Sequence, residues 1–181
     1  MSKEFWKESA EVLYSRELFA NLNMEDITSL KAIADSNPRN RVRICFHQSP
    51  NDELHEMVIV HKKNCYVRPH SHRVNRESIH IIEGEADLVL FNSKGVVANV
   101  FQLGPLGSSK FFYHQNNVGD IHTFLIRSEY LVFKEVTRGP FVRNNILFPS
   151  WAPEENSDQV GAFCDKLAAN VEEFLEIKNA P

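Results

Sequence analysis

Apolar positions in this chain keep a helical spacing near both ends and an alternating spacing between them. Near the front, Ile27, Leu30, Ile33 and Ala34 recur at three- and four-residue intervals behind Asn23, Glu25 and Asp26. A capping side chain, carboxylates in the first turn and that spacing predict a short amphipathic helix. It should stop at Asn37-Pro38, because proline disfavours helical geometry in the residue before it. The segment 11–14 fits either a strand or a loose arm. From Arg41 the period becomes two, with Val42, Ile44 and Phe46 alternating with Arg43, Cys45 and His47. Short runs follow at 56–61, 65–69, 78–83, 86–91, 96–103, 110–113, 121–126 and 130–136, many separated by glycine- or asparagine-bearing turns. Closely spaced strands of this kind predict a sandwich or barrel, with a jelly roll the natural candidate. In the tail, Ser157-Asp158 can cap a final helix that places Val160, Phe163, Leu167, Val171, Phe174 and Leu175 on one stripe.

These elements divide the chain into an arm and helix over 1–40, a barrel over 41–140 and an extension with helix over 141–181, expected to form one structural domain. A length of 181 residues with 43% apolar and 24% charged side chains suits such a domain. The formal charge of −4 gives no global attraction to nucleic acid or to anionic membranes. No apolar run reaches the roughly 20 residues of a spanning helix, and the first residues do not read as a secretory leader. Cys45, Cys65 and Cys164 are odd in number and far apart, which suits reduced thiols used as small apolar filler. A cytoplasmic location is the expectation from that pattern.

The chemistry concentrates in Pro69-His70-Ser71-His72-Arg73-Val74-Asn75-Arg76-Glu77. Residues two apart on a strand share a face, so His70 and His72 project side by side, about 7 Å apart at Cβ. Two imidazoles can converge from there on a metal about 2.1 Å from each nitrogen. The residues 73–76 leave room for a turn that brings Glu77 back to the same spot, and Gly84 suits a tight turn at that strand's end. Gly119-Asp120-Ile121-His122 opens another apolar strand after the polar stretch Gln115-Asn116-Asn117. Three histidines and a carboxylate form a site for one divalent transition metal, Zn, Fe, Ni, Mn or Co, with positions left for water or substrate.

The spacing H-x-H, four residues, E, six residues, G resembles the first half of the cupin signature, and Gly119-x-x-His122 is similar to its second half. Asn64 and Asn117 stand where that signature usually carries glycine and proline. The stretches Arg41-Val42-Arg43 with His47, His55-Glu56-Met57, Tyr66 to His72, Ile121-His122-Thr123 and Trp151-Ala152-Pro153-Glu154-Glu155 resemble the WbuC-type cupin-fold metalloproteins. The resemblance implies a mainly β cupin double-stranded β-helix, or jelly-roll barrel, with a bound metal and an association with bacterial surface-polysaccharide gene clusters. It implies no settled reaction.

Several other residues are candidates for roles around the metal. Tyr66 and Arg68 share the strand face of His70 by parity and would line the pocket. Arg68 would pair with an anionic ligand or with a framework carboxylate such as Glu135. Arg73 and Arg76 either add positive potential at the mouth or are merely solvated. His47 and His55 would stand behind the ligands and orient them through hydrogen bonds, or serve structure alone. His61, His80 and His114 have no supporting partners in sequence. The expected partner is an anionic or sugar-like small molecule, with no nucleic acid and no membrane, on a homodimer. Three functions remain open at this point: Lewis-acid chemistry of the isomerase, epimerase or lyase type, a non-haem metal-dependent oxygenase, and a non-catalytic sugar-binding or sensor module.

Overall fold

The computed structural model describes residues 5–17 and 19–180. In chain order its elements are β1 (Phe5–Lys7), β2 (Val12–Ser15), α1 (Met24–Ser36), β3 (Arg41–Cys45), β4 (Leu54–Lys62), β5 (Ser71–His72) and β6 (Glu77–Glu83). Then come β7 (Ala86–Phe91), β8 (Val97–Leu103), β9 (Tyr113–Asn116), β10 (Ile121–Ile126), β11 (Tyr130–Arg138), β12 (Ile146–Leu147) and α2 (Val160–Asn179).

Two sheets form the body. The larger has the order β1-β2-β3-β4-β11-β6-β9 and the smaller β10-β7-β8. Within both sheets, all strand pairs are antiparallel except β2 with β3. The antiparallel bridge His70↔His122 joins the start of β5 to β10, the parallel bridge Leu103↔Phe111 joins β8 to the segment before β9, and β5 pairs with β12. The result is the mainly β cupin double-stranded β-helix expected from the sequence, flanked by one helix near each end.

The alternating pattern produces this layering directly. Met57, Ile59, Ile79, Ile81, Leu131 and Phe133 point inward from the larger sheet and meet Ala86, Leu88, Leu103, Phe124 and Ile126 from the smaller. The other faces are also covered. Ile27, Leu30 and Ala34 of α1 pack on Val42, Ile44, Val58, Val60 and Val132, while Leu167 and Val171 of α2 pack on Val89, Phe91 and Val100. Strand β7 therefore reads as a nearly unbroken apolar run, as strands buried on both faces do. Its Asp87 is buried as well, and the Arg127 guanidinium 2.6 Å away satisfies it.

The front helix starts and stops as expected. Asn23 accepts from the Glu25 and Asp26 amides, Asp26 answers with a bond to the Asn23 amide, and Asn37 closes the last turn ahead of Pro38. The segment over 11–14 resolves as β2, a parallel neighbour of β3. Three local expectations fail. The segment 65–69 joins no ladder, and the strand expected at 110–113 forms later, as β9, so that Asn116 lies in a strand. The tail helix begins at Val160 behind Gln159 without a side-chain cap, because the Ser157 hydroxyl is engaged by the Gln159 amide one turn earlier.

Candidate metal centre

Strand β5 has two residues, so its position depends on its neighbours. On one side Ile146 and Leu147 of β12 pair with His72 and Ser71. On the other, the His70 and His122 main chains exchange two hydrogen bonds, 3.1 and 2.8 Å long. The Gly119 amide, in the turn before β10, donates to the His72 carbonyl. Glu77 opens β6 after a four-residue turn. Three separate strands thus end at one mouth of the barrel, each delivering a side chain inward.

The ligand atoms of His70, His72, Glu77 and His122 all lie within 4.8 Å of one another. Glu77 spans two of the imidazoles, with Oε1 at 2.8 Å from His72 Nε2 and Oε2 at 3.4 Å from His122 Nε2. His70 and His122 use their second ring nitrogens alike. Each Nδ1 donates to the carbonyl two residues back, Arg68 at 2.9 Å and Asp120 at 3.0 Å. That arrangement fixes the tautomer and turns the Nε2 lone pair toward the cluster. Glu77 and His122 are buried, and His72 is nearly so.

The electrostatics match this geometry. Burial, seconded by the neighbouring His122, pushes His70 down to about 3, so its ring is neutral near pH 7. Burial would raise the Glu77 carboxyl, but the His122 and His72 imidazoles held against its two oxygens outweigh it and keep Glu77 below the ordinary carboxylate range. A neutral imidazole and an ionised carboxylate are the forms that coordinate a metal.

The residues fit a divalent transition metal on a further observation. His72 Nε2 is buried and, despite its closeness to Glu77, makes no aligned hydrogen bond. A buried nitrogen without a partner is costly, and a cation inside the cluster would satisfy it. Around a metal at bond lengths of about 2.1 Å, adjacent ligand atoms stand roughly 3.0–3.4 Å apart, which the present spacing reaches with small side-chain movements.

The other candidates are distributed unevenly. Tyr66 turns away from the cluster: its hydroxyl donates to the Pro153 carbonyl at 2.9 Å and its ring meets Phe163 edge-on. The parity argument lapses at 65–69, where Cys65 and Val67 face the core instead. Arg68 lies beneath Phe148, its guanidinium carbon 4.6 Å from the ring centre, and Phe148 in turn is 6.2 Å from the His70 ring. Among the described residues, Arg68 makes no ion pair with Glu135, and its Nε has no hydrogen-bond partner. Glu135 projects from β11 in the inward row of Leu131 and Phe133, opposite Ile79. Burial, then the charge of Glu77, pushes its carboxyl up to about 8.

His47 and His55 stack on each other with ring centres 4.0 Å apart. His47 reaches the Glu56 carbonyl, and His55 lies against the Gly139 backbone. Neither hydrogen-bonds one of the four clustered residues. His61 is buried with its edge toward Phe133, and His80 is exposed on the outer face.

Two polar residues at the site have no signal in the sequence taken alone. Asn116 of β9 stands directly opposite Glu77 in register, fully buried, with its amide nitrogen unpartnered. His114 Nε2 donates to Asn116 Oδ1 at 3.2 Å and orients that amide. Finding them requires the β6–β9 register, which is a tertiary fact.

A family model described as a domain of unknown function, DUF6016, matches residues 22–103, a stretch that holds His70, His72 and Glu77 but ends before His122. No curated protein matches the chain. Among solved structures, the chain is similar to a provisionally named sugar phosphate isomerase from Acidithiobacillus ferrooxidans, at 13% identity and a TM-score of 0.39, over 49% of this chain and 51% of that one. It is similar to the capsular polysaccharide assembling protein CapF from Staphylococcus aureus, at 16% identity and a TM-score of 0.49, over 62% and 32%. KdgF from Halomonas sp. matches at 12% identity and a TM-score of 0.44, over 57% and 82%. The chain thus spans about half the length of the first and about a third of the second.

Proposed function

We propose that the chain is a metal-dependent barrel of the WbuC-type cupin group. In this reading His70, His72, Glu77 and His122 hold one divalent transition metal, and a sugar- or sugar-nucleotide-like molecule is converted beside it in surface-polysaccharide metabolism. The observation that carries the reading is the convergence of three imidazoles and one ionised carboxylate at the open end of a β-barrel. When bound, the metal supplies Lewis-acid polarisation of a carbonyl or hydroxyl oxygen.

The chain's own groups supply the proton chemistry. Glu135, held up to about 8, keeps a proton at neutral pH inside the barrel and can give it to an oxygen or recover it from carbon. Glu77 cannot share that task, since it stays ionised among the histidines. The unpartnered Asn116 amide nitrogen is a donor ready for a substrate oxygen beside Glu77. Such a division, with one carboxyl neutral and one charged, suits isomerase, epimerase or lyase chemistry.

Solvent exchange tests this directly. Metal-loaded protein incubated in heavy water with a panel of aldoses, ketoses and nucleotide sugars should place deuterium next to a carbonyl in at least one of them. Glu135→Gln should reduce that incorporation by about a hundredfold or more while metal content is unchanged. Oxygen uptake with iron-loaded protein, or saturable binding with no exchange and no turnover, would contradict the reading in favour of an oxygenase or a binding module.

The same residue sets a pH dependence of stability. The folded chain keeps the Glu135 proton up to about 8, whereas the unfolded chain releases it near the ordinary 4.5. Stability is therefore fully present below about 4.5 and falls as pH rises through that window. Urea unfolding of metal-free protein at about pH 5 and about pH 8 should show the wild type losing roughly 2–4 kcal/mol more than Glu135→Gln between the two. Parallel pH profiles for the two proteins would show that Glu135 ionises normally.

A further inference from the structure

The loops around the mouth carry a concentration of unpaired positive charge that the metal cluster does not use. Arg73 and Arg76 lie in the turn between His72 and Glu77, next in sequence to those two candidate ligands. Arg138 ends β11, and its carbonyl accepts from the Asn75 side chain at 2.7 Å. Arg143 begins the short turn before β12, a turn tied to the Arg73 amide through the Asn145 carbonyl at 2.8 Å. The Thr137 hydroxyl donates to the Arg76 carbonyl, which closes the ring of contacts. Four arginines therefore belong to one hydrogen-bonded set of loops at one end of the barrel.

All four are exposed, and none makes a side-chain hydrogen bond or ion pair among the described residues. Three arginines elsewhere are paired, Arg39 and Arg41 with Glu11 and Glu155, and Arg127 with Asp87 and Glu172. Two acids of the adjoining turns are engaged by main-chain amides, Asp120 by Asn117 and Asp52 by Gln48 and Ser49, and Glu53, whose carbonyl accepts from the Gly139 amide, forms no ion pair with Arg138. On a chain of net charge −4, an uncompensated cationic rim is a local feature, not a reflection of composition.

A second observation points inward from that rim. Arg68 has its Nε buried without a hydrogen-bond partner and its guanidinium stacked on Phe148, beside His70. A planar guanidinium fixed on an aromatic face keeps its fork of donors available and has lost much of its rotamer freedom in advance. A buried donor with nothing to bind is a cost that an oxyanion would remove.

We propose that the mouth, with Arg68, Arg73, Arg76, Arg138 and Arg143, is a binding site for small molecules bearing a doubly charged oxyanion, a phosphate or a dicarboxylate, whose other end reaches the metal. This deepens the proposed function and rests on it only for the position of the reacting end. Charge selects the ligand at the rim, and the His70–Phe148 neighbourhood places its body over the cluster. A neutral sugar meets only the second of these features.

The test is calorimetric titration of the full metal-loaded chain with glucose 6-phosphate, succinate and glucose. At low salt, at least one of the two anions should bind about tenfold or more tightly than glucose, and added salt should erode that advantage. The pair separates phosphate from dicarboxylate as the preferred group. The double variant Arg73→Ala, Arg76→Ala should weaken anion binding by about tenfold or more, with metal content and melting temperature unchanged. The single variant Arg143→Gln provides a check from an independent loop. Equal affinity for all three probes, no binding of any, or anion affinity untouched by these variants would overturn the proposal. Anion binding that depends on the arginines in a chain that retains no metal would uphold the rim and sink the metal reading. Metal retained without any preference for anions would do the reverse.

Discussion

Metal retention is expected to fall by at least about a hundredfold when His72 is replaced by alanine, with the barrel still folded. The side chain is nearly buried, its Nε2 has no aligned partner, and it flanks Glu77 at 2.8 Å. Its removal takes away one of four donors and leaves the Glu77 carboxylate with His122 alone as a close partner. The backbone role of the position survives, because β5 is held through main-chain bonds to Asn145, Ile146 and Gly119 that alanine also makes. Metal content by elemental analysis, read beside circular dichroism, separates loss of the site from loss of the fold. Unchanged metal in a folded variant would remove His72 from the site.

The second large effect concerns the opposite end of β6. Gly84 has φ of +81°, in the region that side chains rarely adopt, and a Cβ there would stand 2.0 Å from the Tyr130 carbonyl oxygen and 2.5 Å from the Ser128 hydroxyl. That hydroxyl is already committed, donating to the Tyr130 carbonyl and accepting from the Glu85 amide at 2.8 Å. The chain cannot yield without breaking the β6–β11 register, which already carries an irregularity at Val132 and Phe133. Gly84→Ala should cost about 3 kcal/mol or more, a fall in melting temperature of roughly 6–12 °C. The metal end of β6 lies roughly 20 Å away along the strand, so at temperatures where the variant is folded its metal content should match the wild type. A melting temperature within about 2 °C of the wild type would show that the turn tolerates a Cβ.

The parts of the fold legible in the sequence are those where a local period carried the information. Ile27, Leu30 and Ala34 marked a helix because its buried face repeats every three or four residues, and Val42 and Ile44 marked a strand because its faces alternate. The H-x-H pair was legible for the same reason, since parity alone puts His70 and His72 side by side. Asn64 is instructive: in place of the glycine usual there, it adopts φ of +68°, a left-handed conformation that asparagine tolerates better than most residues. The departure from the signature preserved the turn it encodes.

What escaped the sequence depends on pairing between distant strands or on its absence. Tyr66 kept the right parity only on the assumption of a ladder at 65–69, and that segment has none. Asn116 read as part of a polar stretch and His114 as a histidine without partners until the β6–β9 register set Asn116 opposite Glu77. The fate of Arg68 turned on Phe148, eighty residues on, which no spacing rule connects to it. Ser157 and Asp158 read as a cap by type, but the chain turns once more before α2 begins. Local chemistry named the metal-ligating candidates together with Arg68 and Glu135, while Asn116 and its partner His114 were placed by topology alone.

The central claim is that four side chains hold one divalent metal, and its most direct test is the metal content of the untagged full chain purified without chelators. The account predicts about one zinc, iron, nickel, manganese or cobalt ion per chain, removed by chelation and restored by that metal. A chain that stays free of metal after equilibration with each of the five in turn would contradict it.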